Sequence, residues 1–485
     1  MGAEPDQKPA TAQPMPVDRE SVTQHEAQDL CGGLSWTATA ATWTLRDQAR
    51  EARCTRSFVS YVRQGEQGVR AADRPVTFIF NGGPGASAVW LHLGVFGPRR
   101  LDFADGLAPL TPPYRLVDNP DTLLAVSDLV FIDPDDTGYS RVAPGVERGE
   151  FLGLDEDVTW VGEFIRTWLT RQGRWASPTY VAGESYGTTR AAALADHLGA
   201  EHGIGVSGVL LISSVLLFQT LYADVGNDLP YVLALPTLAA TAWHHGKSDP
   251  ALADLEAVVA AAEQLATGDY ATYLLRENYV GDAERDALAN RLARLLGVST
   301  ELLLRNRLRL PKDRFRKELR REDGLVVAHF DGRLVGHDAD AGASSALEDP
   351  SFWQVRFPFT GAYLDYLREV LEVDVDESYV VVNTELGADW KWGEAAKVPK
   401  YVDVASRLRE AMLRNPGLRV FLGNGYYDFA TPFFAAEWTL DHLGLPADCA
   451  AGITMRRYRA GHMMYTDSAC LSELAQDVSA FVQAG

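Results

Sequence analysis

Four short apolar runs constrain this chain more than any other feature: VTFIF at 76–80, DLVFID at 128–133, TYVAG at 179–183 and GVLLISS at 208–214. They are bounded by turn-forming Gly and Pro and separated by helix-like stretches such as Val158 to Arg171. A strand with one wet face alternates apolar and polar residues, whereas uninterrupted runs this short are strands buried on both faces. The expected core is α/β, with a mostly parallel sheet between helices. Upstream, Thr37 to Val62 mixes Thr, Val, Phe and Tyr with polar residues, which suits antiparallel strands at a sheet edge. The longest apolar stretches, Val206 to Phe218 and Leu229 to Trp243, fall short of the roughly 20 residues a membrane span needs. Both are expected as buried elements, and no membrane partner is expected.

The chain divides into four regions. Residues 1–28 are rich in Pro, Gln, Glu and Ala and form an expected flexible lead. Residues 29–218 hold the first part of the core. Residues 219–395 are dominated by helical segments (Pro250 to Thr267, Ala283 to Leu296, Thr300 to Arg307, Phe315 to Arg321) and read as a cap over the site, with Asp249 and Pro250 as N-cap and first residue of the first of these. Residues 396–485 complete the core, with a helical period over Tyr401 to Arg414 and strands RVFLG at 419–423 and ITMRRYRA at 453–460. The lead has no apolar h-region, so the expectation is a cytoplasmic protein if the chain is complete, the alternative being a secreted one whose signal has been removed. Lys and Arg number 45 against 66 Asp and Glu, a formal charge of −21, which argues against a nucleic acid partner. Cys31, Cys54, Cys449 and Cys470 include no C-x-x-C pair, so a zinc ribbon is excluded, while one or two disulfides stay open.

The chemistry centres on Gly183-Glu184-Ser185-Tyr186-Gly187. Such a G-x-S-x-G pentad is weak alone, but this one directly follows a strand-like run and opens the helix-like TTRAAALADHL, the order a nucleophile elbow requires. The glycines permit a sharp turn that exposes the Ser185 hydroxyl, and the following helix presents N–H groups to developing negative charge. A serine needs a base and an orienting acid, which follow it along an α/β-hydrolase chain as Asp or Glu and then His. Of the ten histidines, only His442 and His462 come late enough. His442 lies inside a helical stretch, whereas His462 lies in a loop just past a strand and is the expected base. Asp428, just beyond RVFLG, is the expected acid; Asp441 and Asp448 read as surface carboxylates. Asn81-Gly82-Gly83-Pro84-Gly85 directly follows VTFIF and suits a second oxyanion donor. A phosphate loop would need a following Lys-Ser or Lys-Thr, and Pro84 lacks a donor. No H-E-x-x-H or dinucleotide fingerprint is present, and no metal or cofactor is expected.

With these residues assembled, the chain resembles the serine carboxypeptidases of the α/β-hydrolase superfamily, most closely their bacterial members. The matches are FNGGPGAS at 80–87, VFIDPDDTGYS at 130–140, GESYGTTRAA at 183–192, the Asp428 segment and AGHM at 460–463, with YVLALPTLAATAWHHGK and FRKELRRED in the cap. They extend from about residue 70 to the end. The resemblance implies an α/β-hydrolase fold with a large helical cap, and hydrolysis of a carboxy-terminal peptide bond through an acyl-enzyme. It assigns Ser185 as nucleophile, His462 as base and then acid, Asp428 as its orienter, and the N–H groups of Gly83 and Tyr186 as the oxyanion hole. Asn81 and Glu184 match positions that hold the substrate's terminal carboxylate, so the partner implied is a peptide or small acyl substrate with a free carboxylate.

Two departures qualify the resemblance. Val95 stands where better-known eukaryotic members carry a second glutamate, so like-charge repulsion no longer raises the pKa of Glu184, although desolvation still can. Ala86 replaces a cysteine. Nine Lys or Arg between Arg305 and Arg321 suggest a compensating attraction for a substrate carboxylate, with Arg316 and Arg320 as the residues to test, against the rival reading of a solvated helix surface. The alternative function is a serine carboxypeptidase-like acyltransferase or a biosynthetic esterase or amidase acting on small acyl or peptide metabolites. A non-catalytic binding protein on the same scaffold is disfavoured because every element of the machinery is retained.

Overall fold

The computed structural model describes residues 17–485 apart from 29, 32, 66–69, 104–108, 341, 347–348 and 394–400. Its centre is a large sheet built from β1 (Arg19–Ala27), β2 (Leu34–Arg46), β3 (Ala52–Arg63), β4 (Val76–Phe80), β5 (Asp128–Ile132), β6 (Thr179–Ser185), β7 (Val206–Ser214), β8 (Arg419–Gly425) and β9 (Ile453–Tyr458). The strands lie in the order β1-β2-β3-β5-β4-β6-β7-β8-β9. Pairing is antiparallel from β1 to β5 and parallel from β5 to β9. The apolar runs behave as two-faced strands. Phe78, Phe80, Val130, Ile132, Val209 and Leu211 enter one core cluster, and their alternates Ile79, Leu129, Phe131, Leu210 and Ile212 enter another on the opposite face.

Helices cover both faces. Helix α1 (Leu154–Arg171) buries Val158, Val161, Ile165 and Trp168 along one stripe, and its acidic first turn and terminal Arg171 complement the helix dipole. Helix α2 (Tyr186–His202) follows β6 directly and buries Ala191, Leu194, Ala195 and Leu198.

The region expected as a cap contains α3 (Leu229–His244), α4 (Leu255–Leu265), α5 (Asp282–Leu296), α6 (Thr300–Arg305) and α7 (Lys312–Glu318) around a core cluster of their own. Helix α4 begins later than Asp249-Pro250 suggests. Asp254 caps it by accepting from Ala257 N, while Asp249 accepts from Ala251 N in the preceding turn. The last part of the region is not roof. Helix α8 (Pro350–Glu369) places Val355, Phe359, Tyr363 and Tyr366 in a sheet-face cluster, and isolated bridges pair Val382 with Ala86 and Val380 with Gly138.

The core resumes with α9 (Ala405–Arg414), α10 (Phe433–Asp441) and α11 (Ser468–Gln483). Residues 1–16 of the expected lead lie outside the described residues, but Arg19–Ala27 is an ordered edge strand, a correction. Thr23 alone is buried within it, so it lacks the apolar run that marks the central strands. Its pairing with β2 and contacts such as Trp43 Nε1 to Glu20 Oε1 at 2.6 Å hold it instead. The four cysteines are free thiols, Cys31 exposed and the others buried. Among the described residues no helix is long and apolar enough to cross a membrane.

Candidate active site

Ser185 ends β6 and stands at φ 58°, ψ −128°, a conformation costly for any side-chain-bearing residue and kept only where its surroundings enforce it. The pentad's glycines are what allow the turn. A Cβ on Gly183 would lie 2.0 Å from the carbonyl oxygen of Gly187, and one on Gly82 would lie 2.6 Å from Tyr186 N. The loop after β4 thus packs directly on the elbow, bringing Gly83 and Tyr186 to the rim that bears Ser185. Tyr186 opens α2, whose first-turn N–H groups have no partner within the helix.

Arg190, which sequence reading did not single out, ties these parts together. Its fully buried guanidinium donates to the Asn81 carbonyl at 2.8 Å and to Asp157 Oδ2 of α1 at 2.7 Å. Tyr186 donates to the same carboxylate at 3.3 Å. A lone cation in the Ala-rich run TTRAAALADHL was the available signal.

Asp428 and His462 come from the loops after β8 and β9. Asp428 accepts from Ala430 N at 2.8 Å, Thr431 N at 3.0 Å and Thr431 Oγ1 at 2.7 Å, and its Oδ2 lies 2.7 Å from His462 Nδ1. Burial opposes protonation of His462, but the charge and hydrogen bond of Asp428 outweigh it and raise its pKa above the ordinary histidine value. Engaging Nδ1 with a carboxylate fixes the tautomer and leaves Nε2 to act. The cap holds this loop from outside: His462 N donates to Phe330 O at 2.5 Å, Gly461 N donates to Asp331 Oδ2 at 3.1 Å, and the imidazole stacks on Phe330 with centroids 5.0 Å apart. Among the described residues no hydrogen bond joins Ser185 to His462. Such bonds commonly tighten only with substrate in place.

A cavity of about 520 Å³ opens above Ser185. Gly83, Ser185 and Tyr186 line one part, Phe218, Leu221 and Leu238 give it an apolar wall, and Lys312, His329 and Thr431 line it from the cap and the Asp428 loop. A larger groove of about 1420 Å³ between β2 and α1 contains none of these residues.

Asn81 and Glu184, expected to bind substrate, are buried, and neither is on the wall of this cavity. Asn81 Nδ2 donates to Glu184 Oε2, Asn81 Oδ1 accepts from Leu91 N at 3.1 Å, and the Tyr465 hydroxyl donates to Glu184 at 2.9–3.0 Å. The Tyr465 ring packs against Gly94, and its phenol supplies Glu184 with a partner. Desolvation raises the Glu184 pKa to about 7, against the lowering effect of His462 and of the Tyr465 and Asn81 hydrogen bonds. Arg316 pairs with Asp313 at 3.0 Å and donates to Val327 O, and Arg320 pairs with Asp323, so neither faces the cavity as the basic run suggested. Among the described residues no group of three or more His, Cys, Asp or Glu could hold a metal ion.

Sheet order, covering helices and a serine elbow on a parallel strand define an α/β hydrolase. The family model of the serine carboxypeptidases matches residues 58–219. The matched segment contains the β4 loop and the elbow but neither Asp428 nor His462. A prohormone-processing carboxypeptidase from Saccharomyces cerevisiae shares the fold with TM-score 0.55 and 17% identity, over 92% of this chain and 91% of that one. Proline iminopeptidase from Mycobacterium smegmatis aligns at TM-score 0.39 and 13% identity, over 91% and 98%. No curated protein matches the chain in sequence.

Proposed function

We propose that the chain is a serine-type carboxypeptidase that cleaves the carboxy-terminal peptide bond through an acyl-enzyme. The observation that carries this reading is the 2.7 Å contact of His462 Nδ1 with Asp428, on the sheet rim where the strained Ser185 elbow also ends. His462 Nε2 takes the proton of Ser185 Oγ as that oxygen attacks the scissile carbonyl carbon. The carbonyl oxygen gains negative charge between the N–H groups of Gly83 and Tyr186. Collapse of the tetrahedral intermediate breaks the C–N bond, and the departing amine takes the proton from His462. Water then enters, His462 accepts its proton, and the resulting hydroxide attacks the Ser185 ester. Breakdown of the second tetrahedral intermediate releases the acid and returns the proton to Ser185. Asp428 holds the imidazole in the tautomer this cycle requires and stabilises its protonated form.

Ser185→Ala is expected to abolish covalent labelling by an organophosphonate and to lower turnover of blocked dipeptides by at least about 10³-fold, the scale on which removing a triad member acts. Labelling that persisted at another residue would end the assignment.

A further inference from the structure

The proposed reaction needs groups that distinguish a free terminal carboxylate from an amide, and the Asn81–Glu184 pair that the resemblance implies for this is hydrogen-bonded within the protein and is not on the wall of the cavity above Ser185. Both Glu184 oxygens accept from Tyr465, and both polar ends of the Asn81 side chain are engaged within the protein. Lys312, at the start of α7, lines the same cavity as Ser185, Gly83 and Tyr186. Its Nζ donates to the carbonyl oxygens of Phe429 at 2.6 Å and Ala430 at 3.3 Å, the two residues that follow Asp428. Among the described residues no carboxylate lies within ion-pair distance of this ammonium.

The neighbouring charges are already committed. Asp313, also on the cavity wall, pairs with Arg316, and Asp428 is bonded to His462 and Thr431. His329 is held near Arg316, and burial with the nearby Lys312 and Arg316 cations keeps its pKa well below the ordinary histidine value, so it adds no competing positive charge near neutrality. Most of the remaining wall is apolar, through Phe218, Leu221, Ala234, Leu238 and Leu310. An ammonium in such a wall gains more from an anion than it would in water, because the surroundings screen less.

We infer that Lys312 is a specificity-determining residue that receives the terminal carboxylate of the substrate, its third N–H reaching into the cavity while backbone carbonyls fix the other two. This rests on the serine-hydrolase reading above and supplies a carboxylate contact from the cap beside the one that the resemblance implies for Asn81 and Glu184. Of the basic run between Arg305 and Arg321, it selects the one cation on this wall among the described residues. Burial lowers the Lys312 pKa, so ordering a carboxylate beside it also favours its charged form.

The test compares kcat/KM for a blocked dipeptide and its carboxy-terminal amide, in the wild type and in Lys312→Met and Lys312→Arg. The wild type is expected to prefer the free acid, Lys312→Met to lower the acid-to-amide ratio by 10-fold or more through KM for the acid, and Lys312→Arg to keep most of it. An unchanged ratio in Lys312→Met overturns the inference. Where Lys312→Met fails to fold, wild-type inhibition by phenylacetate against phenylacetamide decides: the acid is expected to bind at least 10-fold tighter, and equal binding overturns the inference. Organophosphonate labelling of wild-type Ser185 is read in parallel. Labelling with an acid preference that survives Lys312→Met rejects Lys312 alone, labelling without any acid preference rejects the carboxypeptidase specificity as well, and absent labelling rejects the serine-hydrolase reading.

Discussion

At Glu184 burial ties the protonation of a single carboxyl group to stability. It is buried beside the elbow, and desolvation lifts its pKa from 4.5 to about 7. The folded protein therefore holds a proton that the unfolded chain releases above pH 4.5, so this group's contribution to stability falls as pH rises from about 4.5 to 7 and is level beyond. Every tenfold difference in proton affinity between the folded and unfolded chain is worth about 1.4 kcal/mol, which makes the loss on the order of a few kcal/mol. Glu184→Gln is expected to flatten the stability profile across that window and to be the more stable protein at pH 8, as read by denaturant midpoints at pH 4.5 and 8. The ionised carboxylate also raises the His462 pKa. The acid limb of kcat/KM, which falls as His462 takes up a proton, is therefore expected to move to lower pH in the same variant. Glu184 was legible as part of the pentad, but its engagement by Tyr465 was not, because the two residues lie 281 positions apart and no local period connects them.

Among the elements, the buried strands and their turns were the most legible parts. VTFIF, TYVAG and GVLLISS each sit within a strand of the sheet, since burial on both faces leaves an unbroken apolar signature. Edge strand β1 was missed because backbone pairing to β2, and not an apolar face, holds it. The link between β4, α1 and α2 was also invisible, because Arg190 works through a backbone carbonyl and the distant Asp157. Removing one member of a buried ion pair strands the other, typically at about 3–5 kcal/mol, whereas replacing both with apolar residues is often neutral. Arg190→Leu alone is expected to be strongly destabilised. Arg190→Leu with Asp157→Leu is expected to regain most of the stability and still show kcat lowered about 10-fold or more with KM little changed, because the β4 loop has lost its tie to the elbow. Denaturant midpoints and steady-state kinetics on the three proteins separate positioning from mere support; recovery of kcat with stability would reduce Arg190 to a structural role.

Across the whole molecule, the helical insertion expected as a cap is bonded to the loops that carry Asp428 and His462. Its helices enclose a core of their own, yet the segment that leaves it reaches the core loops through a series of bonds. Phe429 N donates to His329 O at 3.1 Å, Gly332 N donates to Tyr427 O at 2.8 Å, and Phe330 O receives His462 N. Sequence pattern delimited the helical insertion but could not reveal this return contact, since residues 329–332 carry neither a helical period nor a motif. The Phe330 ring against His462 is the part open to a direct test. Stacked rings of this kind contribute about 0.5–1.5 kcal/mol, enough to hold one imidazole orientation over its alternatives. Phe330→Ala is expected to slow organophosphonate labelling of Ser185 by about 10-fold while leaving far-UV circular dichroism unchanged, because the backbone bonds from residues 329–332 persist. A labelling rate that stayed equal would mean that the ring does not set the orientation of the imidazole.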